Sequence, residues 1–216
     1  EKTLRILSEE QHMAGTQEDY KTAVFVRDRM KEYGIAAELD EYLIYLPYPL
    51  EISLKVVEPG EEELEIKEKG WAEDEDTLAK KGYLPFSAYS PSGNVTSQLV
   101  YVNYGAPDDY KILNELGINV KGRILLVRNG KLNRALKVLL AEKHGSSGVL
   151  LYSDPSEGAW TQGDVYPKGQ MRPADAVPRG SIAYGFLYQG DPLTPGWASK
   201  ENTRRLKPEE ARNLPK

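Results

Sequence analysis

Short, unbroken apolar runs at residues 124–127 and 149–152 frame this chain, because a strand that is apolar throughout is one buried on both faces of a parallel sheet. Between them Leu132, Leu136, Leu139 and Leu140 recur at helical spacing, and Gly145 stands where a helix C-terminus takes a left-handed residue. The pattern predicts a strand, a crossover helix and a second strand, since parallel neighbours need such a connection, normally right-handed. After Tyr152 the apolar pattern stops and a loop rich in Pro and Gly begins. That loop is a natural place for a ligand.

Earlier in the chain, Leu4 and Leu7 predict a short helix before His12. Thr16, with Asp19 three residues on, marks an N-cap, and a helix runs from there to about Tyr33 with Ala23, Val26, Met30 and Tyr33 on one stripe and Gly34 at its end. Residues 35–46 read as extended, stopped by Pro47 and Pro49. Leu50, Ile52, Leu54 and Val56 alternate with Glu51, Ser53 and Lys55, the mark of a half-buried strand; Pro59-Gly60 turns the chain, and Leu64 and Ile66 bring it back as a hairpin. Residues 68–97 form a charged, then Ser/Pro/Gly-rich excursion with a short helix expected near 77–81. A strand over 98–104 and a helix opened by Pro107, striped by Tyr110, Leu113 and Leu116 and closed by Gly117, lead through Val120 to the strand at 124. A charged segment over 200–212 reads as a solvated helix or linker. The order predicts an α/β fold, a mixed β-sheet with flanking helices.

Composition narrows the chemistry. The 216 residues carry a net charge of −5 with no basic block, which argues against a nucleic-acid surface. There is no cysteine, which removes disulfides, thiolate metal sites and a cysteine nucleophile. No run of eighteen apolar residues is present, so no membrane span is expected. The opening EKTLRILSEEQHMAGT and the closing NLPK have the look of an internal piece of a polypeptide.

Complete catalytic sets are missing from the pattern. Two histidines, His12 and His144, cannot build a zinc site alone; His144 falls in the last turn of the crossover helix, where the helix dipole favours a cation, and His12 reads as a capping or core residue. The hydrolase elbow, the dinucleotide fingerprint and the phosphate-binding P-loop all fail. Asp108-Asp109 and the acidic run 61–63 read as solvated surface, and Asn94-Val95-Thr96 has sequon spacing common by chance. Two candidates remain. Arg134 lies just past the strand at 124–127, at the carboxyl end where open α/β sheets bind ligands, and a guanidinium there suits a carboxylate. The stretch Gly190-Asp191-Pro192-Leu193-Thr194-Pro195-Gly196-Trp197 fixes an irregular backbone whose carbonyls suit a hard cation such as Ca²⁺. On the residues alone, a solvated arginine and an ordinary tight loop are the plainer readings of both. Tyr166-Pro167-Lys168-Gly169 and Arg179-Gly180 are ordered loop residues with no chemistry specified.

Taken in series, HMAGT (12–16), PFSAYSPSG (85–93), LVYVNYG (99–105), KGRILLVRNGKLNR (121–134), GVLLYSDP (148–155), DVYPKG, RGSI and GDPLTPGW resemble the glutamate carboxypeptidase II-like branch of the M28 zinc peptidases, which includes the transferrin receptor. The resemblance covers nearly the whole chain. It implies residues 1–46 as the start of the peptidase domain, with its first helix and strand, and residues 47–216 as a protease-associated (apical) domain truncated at its C-terminal end. Members of the family are secreted or membrane-anchored homodimeric exopeptidases with two zinc ions and a glutamate general base, all of which the resemblance places downstream of this chain. Within the chain it implies two roles: Arg134 grips the terminal carboxylate of a peptide substrate, and main-chain oxygens at Thr194 and Trp197 hold a structural Ca²⁺. Asn133 and Ala135 flank the arginine where the family often has an aromatic residue and a glycine, and Met171 replaces an asparagine of the glutamate-specific members, so general carboxylate recognition carries over and glutamate preference does not. The rival expectation is a non-catalytic, transferrin receptor-like binding domain.

Overall fold

The computed structural model describes residues 1–73, 75–78, 84–183 and 191–212. In chain order the elements are α1 (Lys2–Glu9), α2 (Gln17–Glu32), β1 (Lys55–Val56), β2 (Glu62–Glu63), a 3₁₀ turn at Glu75–Leu78, β3 (Ser87–Ala88), β4 (Leu99–Tyr101), α3 (Pro107–Glu115), β5 (Ile124–Arg128), α4 (Arg134–Lys143), β6 (Gly148–Tyr152), β7 (Gly180–Ser181) and α5 (Pro208–Arg212). The chain divides into two compact units. One comprises Glu1–Leu46, Lys69–Tyr83 and Tyr188–Leu214; the other comprises Pro47–Glu68, Leu84–Leu187 and Pro215–Lys216.

The second unit is built on a parallel sheet in the order β4-β5-β6. Sequential strands joined by right-handed crossovers place both connecting helices on one face. Burial agrees: Leu125 and Val127 of β5, wholly buried, pack with Val102, with Tyr110 of α3 and with Ala141 of α4. The other face is thinly covered, leaving Leu99 54% and Tyr101 50% exposed. The apolar runs are therefore not buried on both sides as expected. With both helices on one face, continuity of apolar residues here reports a strand and not its two-sided cover. The hairpin β1–β2 stands as its own antiparallel pair, and β3 pairs with β7 in parallel.

Local chemistry sets the helix ends. Pro107 opens α3, where its missing N–H costs nothing. Asn133 caps α4, its side-chain oxygen accepting from the Ala135 N–H at 2.8 Å, and this makes Arg134 the first helical residue. Gly145 follows the helix with φ +75°, as its position predicts. The buried face of α4 is Ala135, Lys137 and Ala141; the leucines expected to form it are half-buried.

In the first unit Thr16 caps α2 by accepting from the Asp19 N–H, while Asp19 returns the favour to the Gly15 N–H at 3.0 Å. Yet α2 buries no residue, and Met30 and Tyr33 of its stripe are 42% and 68% exposed. Residues 35–46, expected as a strand, form none; their links run instead to the turn after 190, Leu43 N–H to the Ser199 carbonyl and Tyr45 N–H to the Asp191 carboxyl group. Of the strand expected over 50–56 only Lys55–Val56 forms one, paired with Glu62–Glu63, and the Leu64 N–H extends the contact by donating to the Leu54 carbonyl at 2.9 Å. The helix expected at 77–81 is the 3₁₀ turn ending at Leu78; residues 79–81, and Gly190 of the carbonyl-rich stretch, lie outside the described residues.

Candidate functional site

At the carboxyl ends of β5 and β6 lies an open pocket of about 480 Å³, lined by Asn129, Gly130, Leu132, Asn133, Arg134, Ser153 and Ser181. Strand-end backbone supplies Asn129 and Ser153, tied together by a 3.0 Å bond from Asn129 Nδ2 to Ser153 Oγ. The helix start supplies Asn133 and Arg134, and β7 supplies Ser181. No carboxylate lines the pocket, and among the described residues none pairs with Arg134. Its guanidinium donates through Nη1 to the Arg179 carbonyl. A cation at the positive end of a helix dipole is unfavourably placed unless an anion joins it. The first-turn N–H groups of α4 and the guanidinium therefore favour the same ligand charge.

A second cluster at the same strand ends shows the opposite arrangement. Arg128 contacts Asp154 at 3.2 Å and Glu157 at 3.0 Å, and lies 4.6 Å over the Tyr104 ring, whose hydroxyl donates to Glu157 at 2.8 Å. Lys137, wholly buried, donates to the Tyr104 carbonyl, and burial holds its ammonium below the usual lysine range against the pull of Asp109 and Glu157. These charges answer one another. Among the described residues Arg134 has no such partner.

Arg179, whose carbonyl takes the Arg134 guanidinium, is held by Glu68, whose carboxylate meets Arg179 Nη1 at 2.6 Å and Nη2 at 2.9 Å and accepts the Val177 N–H at 3.1 Å. The hydrogen bond from Arg179 is the main cause that holds the Glu68 carboxyl below its ordinary value of 4.5; partial burial opposes it. A depressed folded-state pKa gives stability that is present above the unfolded value and lost as pH falls through the folded one. Replacing Glu68 by Gln is therefore expected to lower the thermal midpoint at pH 7 and to lose that effect as pH drops below about 4.5. A midpoint gap unchanged down to pH 3 counts against the ion pair.

The remaining candidates fall as follows. Thr194 is wholly buried; its N–H and Oγ1 both bond Asp191, and its carbonyl accepts the Trp197 N–H at 3.2 Å. Trp197 is exposed and donates through Nε1 to the Arg204 carbonyl at 3.0 Å. Two carbonyl oxygens are the right donor type for Ca²⁺ but far short of the six to eight it takes. Among the described residues no group of three or more His, Asp or Glu could hold a metal. His144 stands at the C-cap of α4 and stacks on Tyr110 at 4.1 Å, and His12 is exposed with Nδ1 against the Glu10 carbonyl, so His12 is not a core residue. Met171 bridges to Val165. Sequence reasoning missed Asn129 and Ser153, though the rule that found Arg134, to look just past parallel strands, points to both. It had no signal for Glu68.

Residues 95–187 match the PA domain family. Over 97% of its length the chain is 34% identical to an inactive zinc metalloprotease of Schizosaccharomyces pombe, spanning 26% of that protein. It is 35% identical over 85% of its length to a probable glutamate carboxypeptidase of Arthroderma benhamiae, again 26% of that protein, and 32% identical over 98% to the mouse aminopeptidase NAALADL1, 29% of that protein. The chain thus spans about a quarter of the length of these relatives.

Proposed function

We propose that this chain, which belongs with the glutamate carboxypeptidase-like M28 peptidases and carries their PA domain at residues 95–187, is the substrate-recognition part of a longer dizinc carboxypeptidase, with Arg134 binding the terminal carboxylate of a peptide. The observation that carries this reading is the guanidinium without a carboxylate partner among the described residues, held in a polar pocket at a helix start. Zinc, when bound, supplies a Lewis acid and an activated water. The residues that hold it lie outside this chain, whose own part is to bind and orient. The exposed end of the α2 stripe, Met30 and Tyr33, supports a longer polypeptide, since such a face is ordinarily covered. On the same reading the whole enzyme is a homodimer of a secreted or lumenal compartment, which fits the exposed sequon at Asn94. On the same reading the Thr194 and Trp197 carbonyls would supply two of the oxygens of a structural Ca²⁺ site.

In the full-length polypeptide, Arg134→Ala is expected to lower kcat/KM on peptides with a free C-terminal carboxylate by about 1.5–3 kcal/mol, roughly 10- to 150-fold, the range of a lost charge-assisted hydrogen bond. The same peptides ending in a carboxamide should be cleaved as before. Equal loss on both, or none, removes Arg134 from the site.

A second reading is favoured by one fact, that the S. pombe relative is named inactive. The chain then belongs to a non-catalytic binding protein of the transferrin receptor kind. Calorimetry of the full-length protein with glutarate separates the two when run beside a hydrolysis assay. Binding without turnover supports the second.

A further inference from the structure

We infer that Glu68 is a positioning residue for carboxylate recognition: through Arg179 it fixes the backbone on which the Arg134 guanidinium is seated. The inference rests on the proposed role of Arg134 and adds the parts that hold it in place. Four links run in series. The Glu68 carboxylate takes both terminal nitrogens of Arg179 as a fork, and one of its oxygens also accepts the Val177 N–H, so a single group grips both ends of the stretch 177–179. The carbonyl of Arg179 then accepts from Arg134 Nη1. The next residue, Gly180, lies directly beneath the guanidinium: a Cβ built there would stand 2.0 Å from Nη1 and 2.9 Å from Cζ. Beyond it the Ile182 N–H bonds the Ala88 carbonyl at 3.0 Å, and Gly180 and Ser181 pair with Ser87 and Ala88, which anchors the far side of the seat.

Each link has a reason in its residue type. Only glycine leaves the space the guanidinium occupies. A long side chain placed across a carbonyl has many rotamers to lose, and a fixed acceptor at one nitrogen selects the one that faces the pocket. Exposed ion pairs are commonly worth little. This one differs by its fork geometry, its third bond to backbone and the 111 residues of sequence it spans.

The test uses the full-length polypeptide and two probes, an N-acetyl dipeptide with a free C-terminal carboxylate and its carboxamide, read by hydrolysis and by equilibrium binding. Glu68→Gln is expected to reduce the preference for the carboxylate about 3- to 10-fold through KM or Kd, with kcat and the carboxamide unchanged. Gly180→Ala, whose methyl group pushes Nη1 off its seat, should reduce the preference in the same direction, short of the full loss in Arg134→Ala. On an Arg134→Ala background Glu68→Gln should do nothing more, because the group it positions is gone. If Arg134→Ala removes the preference while Glu68→Gln and Gly180→Ala leave it intact, the seat is refuted and the site stands. If the two substitutions multiply, Glu68 acts by another route and the inference falls. If Arg134→Ala itself has no effect, the proposed site fails first, and the two failures are told apart.

Discussion

Leu125→Ala is expected to destabilise the second unit by about 2–5 kcal/mol, with urea unfolding of the chain shifted to a lower midpoint. Leu125 is wholly buried on β5, the middle strand of the parallel sheet, and packs into the cluster that joins Val102, Tyr110, Val127 and Ala141. A middle strand is hydrogen-bonded on both sides, so it cannot slide to fill the hole, and the lost methyl groups leave a cavity in a close-packed interior. Its neighbour Leu126 points to the thinly covered face and is only half-buried, so Leu126→Ala should cost clearly less. Equal losses from the two would show that the assignment of faces is wrong.

That contrast marks how far the sequence reaches. The run at 124–127 and its helical sequel were legible because strand and helix periods are local properties of the chain, as were the Thr16 cap and the Pro107 start. Which face of β5 would be covered was not local. It follows from the order of strands and the side on which both crossovers pass. Lys137 shows the same limit from the other side. A lysine in a helix is read as solvent-facing, yet this one is wholly buried because the Tyr104 carbonyl and the nearby carboxylates answer its charge. The site was half legible for a related reason. Arg134 could be found from its place after a strand, whereas Glu68, 111 residues before the arginine it grips, could be found only once the chain was folded. The absence of pairing over 35–46 has a physical cause as well. An extended segment makes a strand only when a neighbour offers its backbone, and here the backbone goes to the turn at 191–199.

That turn carries the last large effect. Among the described residues of the first unit only Asp191, Thr194 and Ser199 are buried, so a polar knot does what an apolar core does in the second. Asp191 Oδ1 accepts the Tyr45 N–H at 2.8 Å and the Leu193 N–H at 3.1 Å; Oδ2 accepts the hydroxyls of Thr194 at 3.2 Å and Ser199 at 3.1 Å. Asp191→Ala strands the Tyr45 and Leu193 amides and the Thr194 hydroxyl together, while Ser199 keeps the Leu43 carbonyl, and the expected cost is about 3–4 kcal/mol, with faster hydrogen exchange at the Tyr45 amide. Asp191→Asn should cost far less. Its carbonyl oxygen can keep the two backbone donors, while its NH₂ group donates to hydroxyls that can turn from donor to acceptor. For Ser199 such a turn is ready-made, since its Oγ also donates to the Leu43 carbonyl. If the asparagine variant is as unstable as the alanine one, it is the negative charge, set against the nearby Arg205 that also reaches Ser199, which holds the knot, and hydrogen-bond count is the wrong account of it.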